Sequence, residues 1–262
     1  MNVHTDTTQE FAGIAVEKIA YLKKNPLGFF ISTMMAGAYV GIAIMLILTL
    51  GNEAEPAARN LIMGCFFGIA LSLIIFAGAD LFSGHIMYMT FGFLYRKLGI
   101  VAVLKDWFFS WYGNLFGAVM LSILFALGGG GGWMNDPSSL VHQLAEYKMN
   151  SGIIELLARG AICNWLLCLA IWMTSKTKND AAKCILIFWC LFAFVSAGFE
   201  HSIANMTIFT ISLLGDHPDS VTLFGLLYNL LWVSIGNVIG GAGFIGVAYY
   251  LVGHSLTEKS EP

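Results

Sequence analysis

Six long apolar stretches dominate the sequence and decide what kind of structure it can form. A membrane-spanning helix needs about 20 mostly apolar residues, and every stretch reaches that length. Short polar or glycine-rich segments separate them. The stretches cover residues 27–50, 59–95, 103–127, 152–174, 184–213 and 222–252. The sequence therefore predicts an all-α integral membrane protein with six transmembrane helices.

Composition narrows the possible functions. Of the 262 residues, 58% are hydrophobic and only 11% are charged, whereas a soluble domain has about 25% charged residues. The net charge of −3 provides no basic surface for nucleic acid. The five cysteines lie in apolar runs without Cys-x-x-Cys spacing, so we expect neither a disulfide framework nor a metal site. We expect no cofactor.

Residues 1–26 precede the first stretch and follow another pattern. Apolar residues recur there at helical spacing with charged residues between them, which is typical of an amphipathic helix lying along a membrane surface. The apolar positions are Phe11, Ile14, Ala15, Ile19 and Leu22. We therefore expect an amphipathic helix at 1–26, a transmembrane domain at 27–252 with repeats at 27–127 and 152–252, and a tail at 253–262.

Basic residues predict the orientation in the membrane. Of the 13 Lys and Arg residues, all but Arg59, Lys148 and Arg159 lie at helix ends that face one side. These are Lys18, Lys23, Lys24, Arg96, Lys97, Lys105, Lys176, Lys178, Lys183 and Lys259. The positive-inside rule places that side in the cytoplasm. We expect a multi-pass protein of the bacterial inner membrane with both termini cytoplasmic.

The chain contains an internal repeat. Residues 77–85 in the second stretch and 197–205 in the fifth both read Ala-Gly-x-acid, and Gly-Asn-x-x-Gly occurs at 113–117 and 236–240. Because three spans are an odd number, the second half crosses the membrane in the opposite sense, which predicts an inverted 3+3 repeat with a site near the midplane. The glycine pairs Gly37/Gly41, Gly113/Gly117 and Gly236/Gly240 predict close helix packing.

Each repeated segment places polar residues inside an apolar stretch. They are Asp80, Ser83, Gly84 and His85 in the second stretch and Glu200, His201, Ser202 and Asn205 in the fifth. Non-helical backbone at membrane depth is tolerated only where it is buried in protein or lines a wet cavity. We therefore expect two interrupted helices at a central pathway, with half-helices beginning near Ser83 and Ser202. Their positive ends favour anions.

Structural roles compete with functional ones at these positions. Asp80 and Glu200 can accept hydrogen bonds from loop N–H groups and hold the two breaks, and we prefer this role to contact with a substrate. His201 can be a hydrogen-bonded core histidine. Its place at a helix break near the centre of a repeat favours a functional role, whereas we expect a structural role for His85.

Three motifs together resemble one known family. They are the segments 79–84 (ADLFSG), 198–206 (GFEHSIANM) and 235–237 (IGN). Over nearly its whole length the chain resembles the formate/nitrite transporter family, and the segments 25–29, 35–41, 163–166 and 229–233 resemble its nitrite channel branch. The resemblance implies an aquaporin-like protomer, assembled as a homopentamer with one pore per subunit, that passes small anions such as nitrite and formate.

The resemblance also implies roles for single residues. Phe67 and Phe194 would form a periplasmic constriction, and Leu71, Leu81, Phe82 and Leu167 a cytoplasmic one. Leu167 replaces a valine that is common in formate channels. His201 would lie between the constrictions, hydrogen-bonded near Asn164 and Asn237. Ser83 stands where the family often has threonine, and Lys148 takes the place of a vestibule lysine that attracts the anion.

A charge must cross apolar rings in such a pore. A bare anion pays many kcal/mol in an apolar medium, whereas a neutral acid pays far less. Our hypothesis is that Lys148 concentrates the anion and that His201, whose side chain ordinarily has a pKa of about 6.5, donates a proton to it. In a competing version, His201 stays neutral and donates a hydrogen bond to the permeating anion.

Three alternatives remain at this point. Formate or hydrosulfide can replace nitrite as the substrate in the same kind of channel. A channel for neutral small solutes has a similar architecture but needs no residue that attracts anions. A membrane enzyme that uses His201 with Glu200 is disfavoured, because adjacent residues on a helix do not face each other.

Overall fold

The computed structural model describes residues 3–257, and within that range the chain is helical without strands. Lys259 and the rest of the expected tail beyond residue 257 lie outside the described residues. A π-helical segment, Ile239–Val247, joins the last two α-helices. The α-helices are α1 Val3–Lys24, α2 Pro26–Glu53, α3 Arg59–Phe67, α4 Ile69–Ala77, α5 Phe82–Leu94, α6 Ile100–Leu127, α7 Leu140–Met149, α8 Ile153–Ser175, α9 Asp180–Ser196, α10 Ser202–Leu214, α11 Leu223–Val238 and α12 Ala248–Thr257.

Five helical segments of the described chain are long and apolar enough to cross a membrane. They are Pro26–Glu53, Arg59–Ala77, Ile100–Leu127, Ile153–Ser175 and Leu223–Gly253. The fifth expected stretch, 184–213, is not one continuous helix, because it is divided between α9 and the short apolar helix α10. The second expected stretch, 59–95, is divided as well, because a break separates Ala77 from Phe82.

The two expected interruptions are present at matching places. Helix α4 ends at Ala77 and α5 begins at Phe82, while α9 ends at Ser196 and α10 begins at Ser202. Gly78 follows α4 with φ of 74°, and Gly198 lies in the second break with φ of 72°. The left-handed region favours glycine, which has no Cβ. The Ala-Gly pair of each repeat therefore ends one half-helix.

Helix α1 buries its apolar face against protein. Phe11, Ala15 and Ile19 are buried, and the Phe11 ring lies 5.3 Å from that of Tyr88 and 5.5 Å from that of Trp172, between ring centroids. The apolar face of α1 therefore packs on α5 and α8, and the expected position of this helix along the membrane surface stays a prediction. This packing brings α1 to the region of the first helix break.

Small residues allow close helix crossings. A Cβ on Gly37 of α2 would collide with the backbone carbonyl of Asn114 in α6, and a Cβ on Gly117 would collide with that of Met34. Gly240 makes an equally close approach to a backbone carbonyl in the second half. The predicted glycine pairs thus let helix backbones pack directly, which fixes Asn114 beside the first break.

Candidate functional site

Three cavities lie in a row through the centre of the described structure. The first, the Lys148 cavity, has a volume of about 310 Å³ and is lined by Lys148 and His201 among others. The second, the Lys18 cavity, has a volume of about 240 Å³ and contains Lys18 and Asp80. A void of about 10 Å³ lies between them, because it shares His201 with the first cavity and Leu81 with the second.

The central void is narrow and mostly apolar. Four of the residues expected at the constrictions line it, namely Phe67, Leu71, Leu81 and Leu167. A void of about 10–15 Å³ is the least that holds one water molecule. A hydrated anion therefore cannot cross it unless side chains move.

The other two expected constriction residues are placed differently. Phe194 lines the Lys148 cavity, and its ring lies 5.5 Å from that of Phe67 at an interplanar angle of 78°. Phe82 is buried but lines neither the void nor the two cavities. The structure therefore brings the two phenylalanines 67 and 194 together and leaves Phe82 outside the passage.

His201 lies at the second helix break, directly before α10. Its backbone is extended, with φ of −117° and ψ of 115°, and the residue is 3% exposed. The ring Nε2 lies 3.0 Å from Oγ of Ser83 in the first turn of α5. Nδ1 is buried without a hydrogen-bond partner among the described residues. The two interrupted segments therefore meet at His201 and Ser83.

Asn164 and Asn237 surround His201 but bind the backbone. The Asn164 side-chain amide donates to the carbonyls of Ser83 at 3.2 Å and Asn237 at 2.8 Å. The Asn237 amide donates to the Glu200 carbonyl at 3.1 Å, and its oxygen accepts from Ser202 N–H at 3.0 Å. Contrary to expectation, the described hydrogen bond of the His201 ring goes to Ser83, because both amides are used in holding the broken backbone.

The first break has an equivalent clamp that the sequence interpretation missed. Asn114 accepts from Phe82 N–H at 2.9 Å and donates to the carbonyls of Asp80 at 3.1 Å and Thr33 at 2.7 Å. Asn237 bridges its own break in the same way. The Gly-Asn-x-x-Gly motif, which occurs in both halves, was the signal that would have identified Asn114.

Asp80 and Glu200 form ion pairs, and no described hydrogen bond joins their carboxylates to the loop N–H groups. Asp80 Oδ1 lies 2.5 Å from Lys18 Nζ, and Glu200 Oε1 lies 2.7 Å from Lys148 Nζ. Both acids are buried. The expectation that they hold the breaks by accepting N–H bonds was wrong, because the asparagines do so and the acids pair with distant lysines. Lys18 is a second missed residue.

Charged and apolar regions alternate along the row of cavities. A lysine lies in each outer cavity, and the positive ends of α5 and α10 begin beside the void, where they favour negative charge. The void itself presents apolar side chains and His201. No group of three or more His, Cys, Asp or Glu side chains within the described range is placed to hold a metal. The arrangement can attract an anion and offer it the His201 ring at the central void.

Comparisons with known proteins agree over nearly the whole chain. The family model "Formate/nitrite transporter" matches residues 5–251. The nitrite transporter NirC of Escherichia coli (strain K12) is 47% identical over 249 residues, which cover 94% of this chain and 91% of that protein. A solved "FNT family ion channel" has a TM-score of 0.93 at 44% identity and covers 95% of this chain and 99% of its own. A "Pentameric formate channel with formate bound" has a TM-score of 0.72 at 25% identity, over 88% of this chain and 98% of its own.

Proposed function

Because the chain belongs to the formate/nitrite transporter family, we propose that it is a channel for small monovalent weak-acid anions and that nitrite is its main substrate. The preference for nitrite is supported by 47% identity to a nitrite transporter, against 33% identity to a formate channel of Bacillus thuringiensis. Since the family consists of transporters, the membrane-enzyme alternative at His201 and Glu200 is excluded.

One observation carries this function: His201 is the titratable side chain that lines both the narrow apolar void and the Lys148 cavity. An anion that enters that cavity meets Lys148 first and the imidazole next. A proton received there converts it to a neutral acid before it reaches the apolar side chains. The neutral form is the one that can cross, because burying an unpaired charge costs several kcal/mol or more.

Capture of the anion uses the charges at the cavity. Lys148 lies 2.7 Å from Glu200, so its charge is partly balanced at rest. The N-terminus of α10 adds a positive end at the same place. Together they raise the local anion concentration without binding it so tightly that it cannot leave. Ser83, Asn164 and Asn237 have positioning roles in this scheme.

Proton transfer uses the His201 ring. Ser83 Oγ occupies one side of the ring at Nε2, which leaves Nδ1 as the atom that can hydrogen-bond to the anion. In the relay, His201 first takes up a proton from the water of the Lys148 cavity and becomes an imidazolium. It passes that proton to nitrite and returns to the neutral ring, and nitrous acid crosses Phe67, Leu71, Leu81 and Leu167 and releases the proton to the water beyond them. If His201 instead stays neutral, it donates a hydrogen bond only and no proton crosses with the anion.

The membrane arrangement follows the same proposal. Six spans form an aquaporin-like inverted 3+3 repeat in this proposal, and they consist of α2, α3–α5, α6, α8, α9–α10 and α11–α12. Residues 1–26 are the N-terminal unit, 27–252 the channel domain and 253–262 the tail. The ten basic residues place both termini in the cytoplasm of a bacterial inner membrane. The Lys148 cavity then opens to the periplasm and the Lys18 cavity to the cytoplasm.

A homopentamer with one pore per protomer is the proposed assembly. Support comes from the similarity to a pentameric formate channel, which extends over 98% of that chain. Large apolar side chains such as Phe66, Trp189 and Phe224 are exposed on the single protomer. Lipid and neighbouring protomers would cover them, since a contiguous apolar surface is not stable in water.

A flux panel tests the proposed function. Purified protein is reconstituted into liposomes, and entry of nitrite, formate and hydrosulfide is measured from pH 5 to pH 8 against protein-free liposomes. We expect nitrite to enter fastest and its flux to rise as the pH falls. Faster entry of formate or hydrosulfide would show that this anion, and not nitrite, is the main substrate. Passage of water or glycerol without anion flux would indicate a neutral-solute channel.

A further inference from the structure

Matching polar networks lie beside the two helix breaks. In the second half, the Asn205 side-chain amide donates to Glu200 Oε2 at 2.6 Å and to Asn229 Oδ1 at 2.9 Å. Glu200 also pairs with Lys148. Asparagine is neutral at every pH, so Asn205 and Asn229 add no charge to the Lys148–Glu200 pair.

The first half has titratable residues at the two asparagine positions. His85 takes the place of Asn205, five residues after the acid. Asp106 takes the place of Asn229, each lying about two helical turns before the asparagine that clamps its break. His85 Nε2 lies 3.1 Å from Asp80 Oδ1, and Nδ1 lies 2.9 Å from Asp106 Oδ2. The imidazole therefore bridges two carboxylates.

This bridge requires one extra proton. A neutral imidazole has one N–H donor, and a carboxylate can only accept. Both contacts become hydrogen bonds when the His85 ring carries protons on both nitrogens. The charges of Lys18, Asp80, His85 and Asp106 then sum to zero. Loss of that proton leaves one uncompensated negative charge.

The charge balance of this network is important because its side chains are buried in the protein. Asp80, His85 and Asp106 are buried, at 2%, 1% and 0% exposure. Lys18 of α1 reaches Asp80, and Tyr88 of α5 lies 6.1 Å from the His85 ring between ring centroids. Buried charges are stable only when they are paired, which favours the protonated bridge.

Among the residues that the structure describes, the other elements packed on His85 bring no further charged side chain to the ring. From α2, the Phe29 ring lies 6.0 Å from the imidazole, and Ser32 donates to Asp80 at 2.7 Å. From α8, Ile171 lines the same cavity. His85 and Asp80 both line the Lys18 cavity, so a proton can pass between the bridge and the water of that cavity.

We propose that Asp80, His85 and Asp106 form a second proton-binding site, which sets the net charge of the Lys18 cavity and thereby makes anion passage depend on the pH of the solution that this cavity faces. The proposal rests on the proposed channel function. When the proton is bound, the cavity is neutral apart from the permeating anion. When the proton leaves to water, the site repels the anion and lowers its occupancy on the order of tenfold, as expected for like charges a few ångströms apart in a partly wet cavity.

The internal repeat supplies the variants for a test. His85→Asn/Asp106→Asn copies the asparagine pair of the second half and keeps the network neutral at every pH. Asp106→Asn alone is also neutral once His85 has lost its proton. His85→Asn alone leaves Asp106 unpaired and negative. A charge-setting site thus gives the two single variants opposite effects, and the second substitution reverses the first.

Nitrite uptake is measured in right-side-out and inside-out membrane vesicles from cells expressing each variant. The external pH is varied from 5 to 10 while the internal pH is held by buffer. Dividing each variant's flux by that of the unmodified protein at the same pH removes the effect of the pH gradient on the driving force. Vesicles from cells without the protein provide the background.

We expect the effect when the external solution faces the Lys18 cavity. There the ratio for the double variant rises from about one at low pH to about tenfold at high pH. The ratio for Asp106→Asn stays above one at both ends of the range, because that variant carries one negative charge fewer than the unmodified protein. The ratio for His85→Asn rises from about one tenth to about one. When the external solution faces the Lys148 cavity, all ratios stay constant with pH, which is the internal control.

A pH-independent ratio for the double variant on the Lys18 side, or a loss of flux of the same sign in both single variants, would overturn the proposal. Nitrogen-15 NMR of ring-labelled histidine in the unmodified protein in bilayers provides a readout that needs no transport. We expect both His85 nitrogens to be protonated at pH 6, and a singly protonated ring would overturn the proposal even if variants fail to fold. Absence of nitrite flux in the unmodified protein would refute the channel function, and the NMR result would then decide the proton site by itself.

Discussion

His201 Nε2 lies 3.0 Å from Ser83 Oγ, so a side-chain hydrogen bond joins the two halves of the chain beside the narrowest part of the passage. The histidine precedes α10 and the serine lies in the first turn of α5. Each residue is held by a break in its own helix. The position of the imidazole therefore depends on both repeats.

The hydrogen bond between them predicts the effect of substituting Ser83. Ser83→Ala removes the described partner of the His201 ring, and a hydrogen bond of this kind contributes about 0.5–1.5 kcal/mol. We expect nitrite flux to fall by roughly two- to tenfold. Ser83→Thr keeps the hydroxyl and should retain most of the flux in the same liposome assay. Equal losses in both variants would show that the hydroxyl does not position the ring.

The two asparagine clamps predict a stability effect. Asn237→Ala removes partners from Ser202 N–H and the Glu200 carbonyl inside the protein, and leaving such groups unpaired costs about 1–3 kcal/mol each. We expect a lower melting temperature in detergent by tryptophan fluorescence, and the same for Asn114→Ala. Asn150→Ala is the matched control, because that amide donates to Glu146 at an exposed helix end. A control shift as large as the others would contradict the clamp role.

The charge of Lys148 should affect the flux of anions and leave the flux of neutral solutes unchanged. Lys148→Glu places a second carboxylate beside buried Glu200, so we expect nitrite flux to fall by about tenfold or more. Water permeability of the same liposomes should change little. Lys183→Glu is the control, since Lys183 pairs with Asp180 at a partly exposed site away from the cavities. An unchanged nitrite flux in Lys148→Glu would show that this lysine does not attract the anion.

The Leu167 side chain should limit the width of the passage. It lines the central void, whereas Leu156 of the same helix is fully buried and does not. Leu167→Ala should raise acetate flux relative to nitrite flux severalfold, because acetate is the larger acid and gains more from a wider void. Leu156→Ala carries the same loss of volume and should leave the ratio near that of the unmodified protein. The ratio is measured by stopped-flow entry into liposomes.

Local sequence signals were sufficient where the cause of a structural feature is local. The Ala-Gly-x-acid repeat predicted both helix breaks, because a glycine with φ above 70° ends each half-helix. His201 lines both the central void and the Lys148 cavity, whereas the sequence interpretation placed it between two separate constrictions. Spacing alone also predicted the glycine crossing at Gly37 and Gly117.

Features set by distant partners were beyond the sequence pattern. Lys18 pairs with Asp80 across 62 residues of chain, and no periodicity in either segment indicates the partner. Helix α7, which carries Lys148, lies in a segment for which the sequence interpretation predicted no helix, because its short amphipathic turns are stabilised by packing on α10, α11 and α2. A lone aspartate in an apolar span, Asp106, was a readable signal that the sequence interpretation left unused.

Counting protons that enter with nitrite tests the His201 relay most directly. Liposomes containing a pH-sensitive dye and a nitrite probe are held at zero membrane potential, and both signals are followed after nitrite is added outside. We predict about one proton entering with each nitrite through the unmodified protein, and a large loss of both in His201→Ala. Nitrite entry without acidification of the lumen, or an unchanged proton-to-nitrite ratio and rate in His201→Ala, would contradict the relay.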